Sequence, residues 1–331
     1  MTFWDVIKEM SAQPVRREAS RLFVLAFAGE PEYVARAKEV VLGPNATLQQ
    51  RAAAEQFLCT VSPPYSLNDE NRMRFSELLV SFPGGPGVMD YRPADTIQLE
   101  SMSELKEKIF ERRPDLRLPM ARMLPGLRDL AAEQVIREVS VVNAEFAAIS
   151  TISQSIPFIA PWFPIVAGAD IVLLTKNQAL MMFRLAAIYG ESLDLKSRTR
   201  EIIPVIGGAV GWRTIARELA GALPGALGLP LRAGIAFSGT YTAGRAAQMV
   251  FDQGRRPTRE EMLRIYEESR DLAKEVVASL RDRFRKPKEL DAPPKALPPG
   301  DPLLTTESGS LGEEEDEEPE LAPRLDTSGR E

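Results

Sequence analysis

The chain has 331 residues, with Lys+Arg 41 against Asp+Glu 47, a net charge of −6 and 44% hydrophobic residues. That length suits about two domains, each able to bury a core. Histidine is absent and Cys59 is the single cysteine, which excludes Ser-His-Asp and Cys-His catalysis, Cys/His zinc clusters and internal disulfides. Carboxylate, lysine, tyrosine or hydroxyl chemistry remains, or none; no cofactor and no metal are expected.

The first residues, MTFWDVIKEMSAQPVRRE, carry charges throughout and no apolar h-region, so no secretory signal is expected. The apolar run 21–28, RLFVLAFA, has the pattern of a buried strand and ends at Gly29, with Pro31 placed where a first helical turn tolerates proline. A helix is expected over 32–42, closed by Gly43. A second strand is expected over 75–82, ended by the turn cluster Pro83-Gly84-Gly85-Pro86-Gly87, and a third over 96–99. Alternating strands and helices make 1–112 a small α/β domain.

Strand, glycine, helix is also the frame of a phosphate-binding loop. Such a loop needs glycines that aim backbone N–H groups at phosphates, and a Lys-Ser/Thr pair. Here the stretch reads Gly29-Glu30-Pro31-Glu32-Tyr33, with no second glycine, no lysine and two carboxylates. No Asn-Lys-x-Asp segment for guanine is present either. The expectation is a degenerate nucleotide-binding-like, or pseudo-GTPase, domain.

From Leu118 the pattern changes to long helices. Val135, Val139, Val142, Phe146, Ile149 and Ile152 recur at helical spacing over 130–156. Three prolines, Pro157, Pro161 and Pro164, then forbid an ordinary helix. Helix is expected again over 169–190, over 202–220 and over 231–251. A capping box, Thr258 with Glu261, opens a last helix over 259–284 with Met262, Tyr266, Leu272, Val276 and Leu280 as its buried stripe.

The run IPFIAPWFPIVAGADIVLLTKNQALMMFRLAAIYG, followed by IIPVIGGAVGWRTIAREL and GIAFSGTYTAGRAAQMVF, resembles the bacterial family called domain of unknown function 697 over 118–256. The resemblance implies attachment to GTPase-like domains or membrane association, both common among members. This chain departs from GTP-binding relatives by lacking the P-loop lysine.

Between Glu145 and Asp170 lie 24 uncharged residues, and 219–244 contains only Arg232. Simple membrane spans are disfavoured by the prolines, and by basic residues on both sides of the second stretch, against the positive-inside bias. Helices in up-down order instead put the apolar turns 157–164 and 221–230 at one end of a bundle. That tip would present Phe158, Ile159, Trp162, Phe163, Leu223, Leu227 and Leu229 to a membrane surface or a protein partner, or fold them inward as a cap.

Asp170, Asn177 and Arg184 are spaced i, i+7, i+14, with Gln178 beside them, so a buried polar network is expected there; a small-ligand or ion site is the functional alternative. Gly207, Gly208 and Gly211 next to Arg213 suggest close helix packing, with Gly239, Thr240, Gly244 and Arg245 against that face. Arg213 and Arg245 are the candidates for an anionic headgroup.

The last 46 residues, 286–331, carry 13 acidic and 5 basic side chains, a net of −8, which leaves 1–285 at +2 (−6 minus −8). Rich in Pro, Glu and Ser, this tail is expected to be disordered, and nucleic acid is not an expected partner. The expected architecture is α+β: an α/β N-terminal domain (1–112), an up-down helical bundle (118–256), a C-terminal amphipathic helix (257–285) and the tail. The leading functional expectation is a non-enzymatic, cytoplasmic-side protein, peripheral at the inner membrane or scaffolding a partner through the tip. The alternatives are a GTPase regulator and a carboxylate enzyme using Asp170.

Overall fold

The computed structural model describes residues 12–86, 95–154, 163–193 and 228–285, all within one compact unit, Met1–Lys295. The expectations for 202–220 and for the tail lie outside these residues. The architecture is α+β, a small parallel sheet near the N-terminus followed by long helices.

Helix α1 (Gln13–Ala19) precedes β1 (Leu25–Ala28), and α2 (Pro31–Leu42) and α3 (Leu48–Ala54) lead to β2 (Leu58–Val61). Helix α4 (Leu67–Arg74) then leads to β3 (Leu78–Ser81), and β4 (Thr96–Gln98) closes the sheet. The order is β2-β1-β3-β4, all parallel, with Leu25 opposite both Leu58 and Leu78. Every residue of β1 and β3 is buried, as strands covered on both faces require.

Because β1 lies between β2 and β3, right-handed crossovers send α2 and α4 to opposite faces. On the α4 face, Ala26, Ala28, Cys59, Val61 and Leu79 pack with Met73. On the α2 face, Phe82 packs against Phe27 at 6.3 Å and stacks with Tyr33 at 6.1 Å. Each fully buried side chain such as Phe27 or Leu78 contributes roughly 1.5–3 kcal/mol through burial.

The helix starts follow local chemistry. Pro31 occupies the first turn of α2, and Gly43, at φ 80°, ends it. Capping boxes open α3 (Thr47 with Gln50) and α4 (Ser66 with Asp69). Strand β2 and the short helices α3 and α4 were absent from the sequence expectation, because Leu58-Cys59-Thr60-Val61 is too short to register as a period.

Helices α5 (Leu105–Arg112) and α6 (Arg117–Met123) connect the sheet to the bundle. Arg113 donates to the Glu77 carbonyl (2.7 Å) and pairs with Asp115 (2.9 Å), tying the end of α5 to the start of β3. The turn 125–127 seats on α2, where a Cβ on Gly126 would lie 2.7 Å from the Val41 carbonyl oxygen.

Four long helices follow: α7 (Arg128–Gln154), α8 (Phe163–Ile188), α9 (Gly228–Gln253) and α10 (Arg259–Arg285). Helix α8 begins six residues before the expected 169, since Pro164 falls in its first turn, where no N–H partner is needed. Asn143 meets Asn177 where Asp129 meets Tyr189, and Asn143 meets Thr240 where Glu133 meets Arg245, so α8 and α9 both run antiparallel to α7. Ser238 bonded to Ser269 and Gly234 beside Val277 make α10 antiparallel to α9. Helix α1 packs on α8, where Glu18 pairs with buried Arg184 at 3.6 Å.

The last helix starts at its capping box, with Thr258 N–H donating to Glu261 (2.7 Å) and Glu261 N–H to Thr258 (3.2 Å). Its buried line is Ile265, Ser269, Ala273 and Leu280, while Met262, Tyr266, Leu272 and Val276 are half-buried. The expected stripe is therefore rotated. Small Ser269 and Ala273 bring α10 close to α9, which a search for large apolar residues passes over.

Candidate functional site

Ligands of open parallel sheets bind beyond the carboxyl ends of the strands, where the chain order reverses. In this sheet that point lies between β1 and β3. Three of its backbone donors are already engaged: Gly29 N–H bonds Val61 O (3.3 Å), Glu30 N–H bonds Pro83 O (2.9 Å), and Gly85 N–H bonds Phe82 O (2.8 Å). Tyr65 adds a bond from its hydroxyl to Gly84 O at 2.9 Å. A Cβ on Gly29 would come 2.8 Å from the Phe82 Cβ, so the two loops close on each other. A neighbouring groove of about 530 Å³ between α2 and the turn after β4 is lined by Glu32, Tyr33, Arg36, Glu100, Ser101 and Ser103, among others. Two carboxylates against one guanidinium make it a poor cradle for phosphate.

The bundle holds two polar layers. In the upper one, the buried Asn143 amide donates to the Thr240 hydroxyl (2.9 Å) and its carbonyl oxygen accepts from the Asn177 amide (2.9 Å). Gln178 reaches the same Thr240 oxygen at 3.4 Å. The layer joins α7, α8 and α9 with amide and hydroxyl groups alone.

The lower layer is charged. Glu133 accepts from the Tyr241 hydroxyl (2.9 Å) and pairs with Arg245 (3.0 Å). Arg245 also donates to Gln248 (2.7 Å), and Gln248 donates to the Tyr189 hydroxyl (3.0 Å). The Arg128 guanidinium sits 5.9 Å from the centre of the Tyr189 ring. Burial, then Glu133, pushes the Tyr241 phenol up to about 12, and burial likewise raises Tyr189 and lowers Arg128. These acids and donors satisfy one another, so the layer works as a bonded tie between three helices.

The sequence candidates distribute unevenly over this geometry. Asn177, Gln178 and Thr240 come together in the upper layer. Arg184 does not join them: seven residues of helix rise about 10.5 Å, so it finds Glu18 of α1 instead. Gly244 is a close-packing position, as a Cβ there would lie 2.8 Å from Ile136 Cγ1 and 3.0 Å from Met181 Sδ. Its partners are therefore α7 and α8. Arg245 directs its charge to Glu133.

Phe158, Ile159, Trp162, Leu227, Gly207, Gly211 and Arg213 lie outside the described residues. Phe163 and Leu229 fall in the first turns of α8 and α9, and Asp170 lies within α8, with their side chains outside the described part. The sequence reading missed Asn143 and Glu133. A lone Asn inside the run Val139, Val142, Asn143, Phe146 was the available signal.

Among the described residues, no helix is long and apolar enough to cross a membrane, and no group of three acidic or cysteine side chains is disposed to hold a metal ion. Comparison with protein-family models, with curated proteins and with solved structures finds no match to this chain.

Proposed function

We propose that this chain is a non-catalytic scaffold that docks on a membrane surface through the apolar end of its helical bundle. The observation supporting this reading is the direction of the helices. Helix α7 ends at Gln154, α8 begins at Phe163 and α9 begins at Gly228, and the antiparallel register brings all three termini to one end. The sequence at those termini carries Phe158, Ile159, Trp162, Phe163, Leu227 and Leu229 with no charged residue between Glu145 and Asp170. Apolar residues around a Trp suit the interface between headgroups and acyl chains.

The resemblance to domain of unknown function 697 points the same way and is itself part of the proposal. A regulator of a GTPase is the second reading, favoured by the parallel order β2-β1-β3-β4; it would act through protein contact, because the donors at the end of β1 are engaged. The test is fractionation of cells expressing the native chain and the variant F158D/W162D/F163D. The reading requires native protein to stay with membranes through high-salt washing and the folded variant to become soluble. Native protein found in the soluble fraction would reject membrane docking and favour the partner reading.

A further inference from the structure

A groove of about 260 Å³ runs between α9 and α10, floored by Gly234, Ile235, Ala273 and Val277 and edged by Arg270 and Lys274. We propose that it takes an acyl segment of an anionic phospholipid, with Arg270 and Lys274 holding the phosphate. The inference rests on the membrane-docking reading and names the lipid class.

Three observations carry it. The first is Gly234: a Cβ there would meet only Val277 Cγ2, at 3.8 Å, so close helix packing does not demand glycine as it does at Gly244. Glycine inside a helix lowers its stability relative to alanine, and here its effect is to leave the groove open. The second is charge. Arg270 makes no hydrogen bond or ion pair among the described residues and acts only through its charge on neighbouring Asp271, while Lys274 is bonded at 2.7 Å to Asp271. Both members of that pair are largely exposed, so an anionic headgroup competes with it readily. The third is position. Gly234 lies six residues, about 9 Å, and Ser238 about 15 Å above the start of α9. Val277 packs beside Gly234, whereas Arg270 neighbours the Ser238–Ser269 contact. The Gly234–Val277 part of the groove is thus nearer the docking end and Arg270 lies at the far end, in the order of acyl chain and phosphate, with Lys274 along the edge between them.

The experiment is sedimentation of the full chain with vesicles of phosphatidylcholine alone and of phosphatidylcholine with phosphatidylglycerol at about 7:3. Native protein is expected to partition more strongly into the anionic vesicles. Arg270→Gln should lower that partition about fivefold, the effect of one basic side chain near an anionic surface. Gly234→Leu, which fills the groove, should remove the preference for phosphatidylglycerol while leaving the circular dichroism unchanged. Arg264→Gln, outside the groove, should retain it. Equal binding to both vesicle types, or an equal loss in Arg264→Gln, overturns the groove site and leaves tip docking intact. If neither vesicle binds, dihexanoyl phosphatidylglycerol monomers are titrated in solution. Binding that is lost in Gly234→Leu then supports the groove and rejects the tip; no binding rejects both.

Discussion

Replacing Asn143 with alanine probes whether the upper polar layer holds the three helices together. The side chain is fully buried and makes two bonds at 2.9 Å, to Thr240 and from Asn177. Each bond contributes about 1 kcal/mol, and a buried amide left without its acceptor costs about 1–3 kcal/mol more. Thr240 keeps its 3.4 Å contact with Gln178, so the main stranded group is the Asn177 amide. The expected loss is about 3–5 kcal/mol, or roughly 6–20 °C in the unfolding midpoint for a domain of this size. Urea unfolding followed by circular dichroism measures it. Asn177→Ala should cost less when Asn143 is already alanine, giving a coupling of about 1–2 kcal/mol in a double-mutant cycle. The apolar triple N143L/N177L/T240V should recover most of the loss, since the three fully buried polar groups go together and only the half-buried Gln178 amide loses its Thr240 contact. A cost below about 1 kcal/mol for Asn143→Ala, or zero coupling, would refute the reasoning.

Other outcomes follow from the same geometry. Gly244→Val should destabilise by about 1–3 kcal/mol because its Cβ overlaps Ile136, and Ile136→Ala should recover part of that loss in the double variant; equal midpoints for native and Gly244→Val would contradict the packing. Glu261, held down to about 2 first by its bond with Arg255 and then by Thr258, gives stability that is present above its ordinary value of 4.5 and is lost as pH falls from there towards 2. Glu261→Gln should flatten the acid limb of stability against pH, and an unchanged slope would exclude this source. Tyr241 keeps its proton up to about 12, so native absorbance at 295 nm should show its ionisation above the ordinary value of 10, with stability falling as pH rises between the two. The Cys59 thiol is buried and pushed up chiefly by burial, so a thiol reagent should label it only as fast as the chain opens; prompt labelling of folded protein would place it elsewhere.

The long helices were legible because their signals are local and repeated. Thr258 with Glu261, the stop at Gly190 and the apolar spacing of Val135, Val139 and Val142 each act within a few residues. The same holds for Gly29 and Pro31 at the turn from β1 into α2. Short pieces were not legible: β2 has four residues, and its identity comes from pairing with β1 along Leu25–Leu58 to Ala28–Val61. The site was legible by residue type more than by partner. Asn177, Gln178 and Thr240 stand out as polar groups in apolar helices, yet nothing in the sequence says that Asn143 lies between Asn177 and Thr240.

The α+β order, the absence of histidine chemistry and the ends of helices such as α2 and α10 follow from composition and local backbone propensity. Packing in three dimensions set the rest: Arg184 reaches Glu18, Arg245 is held by Glu133, Gly244 is forced by close contact and Gly234 is not. Those outcomes depend on which side chains from distant segments meet across a helix interface, and spacing along one helix carries no information about its neighbour.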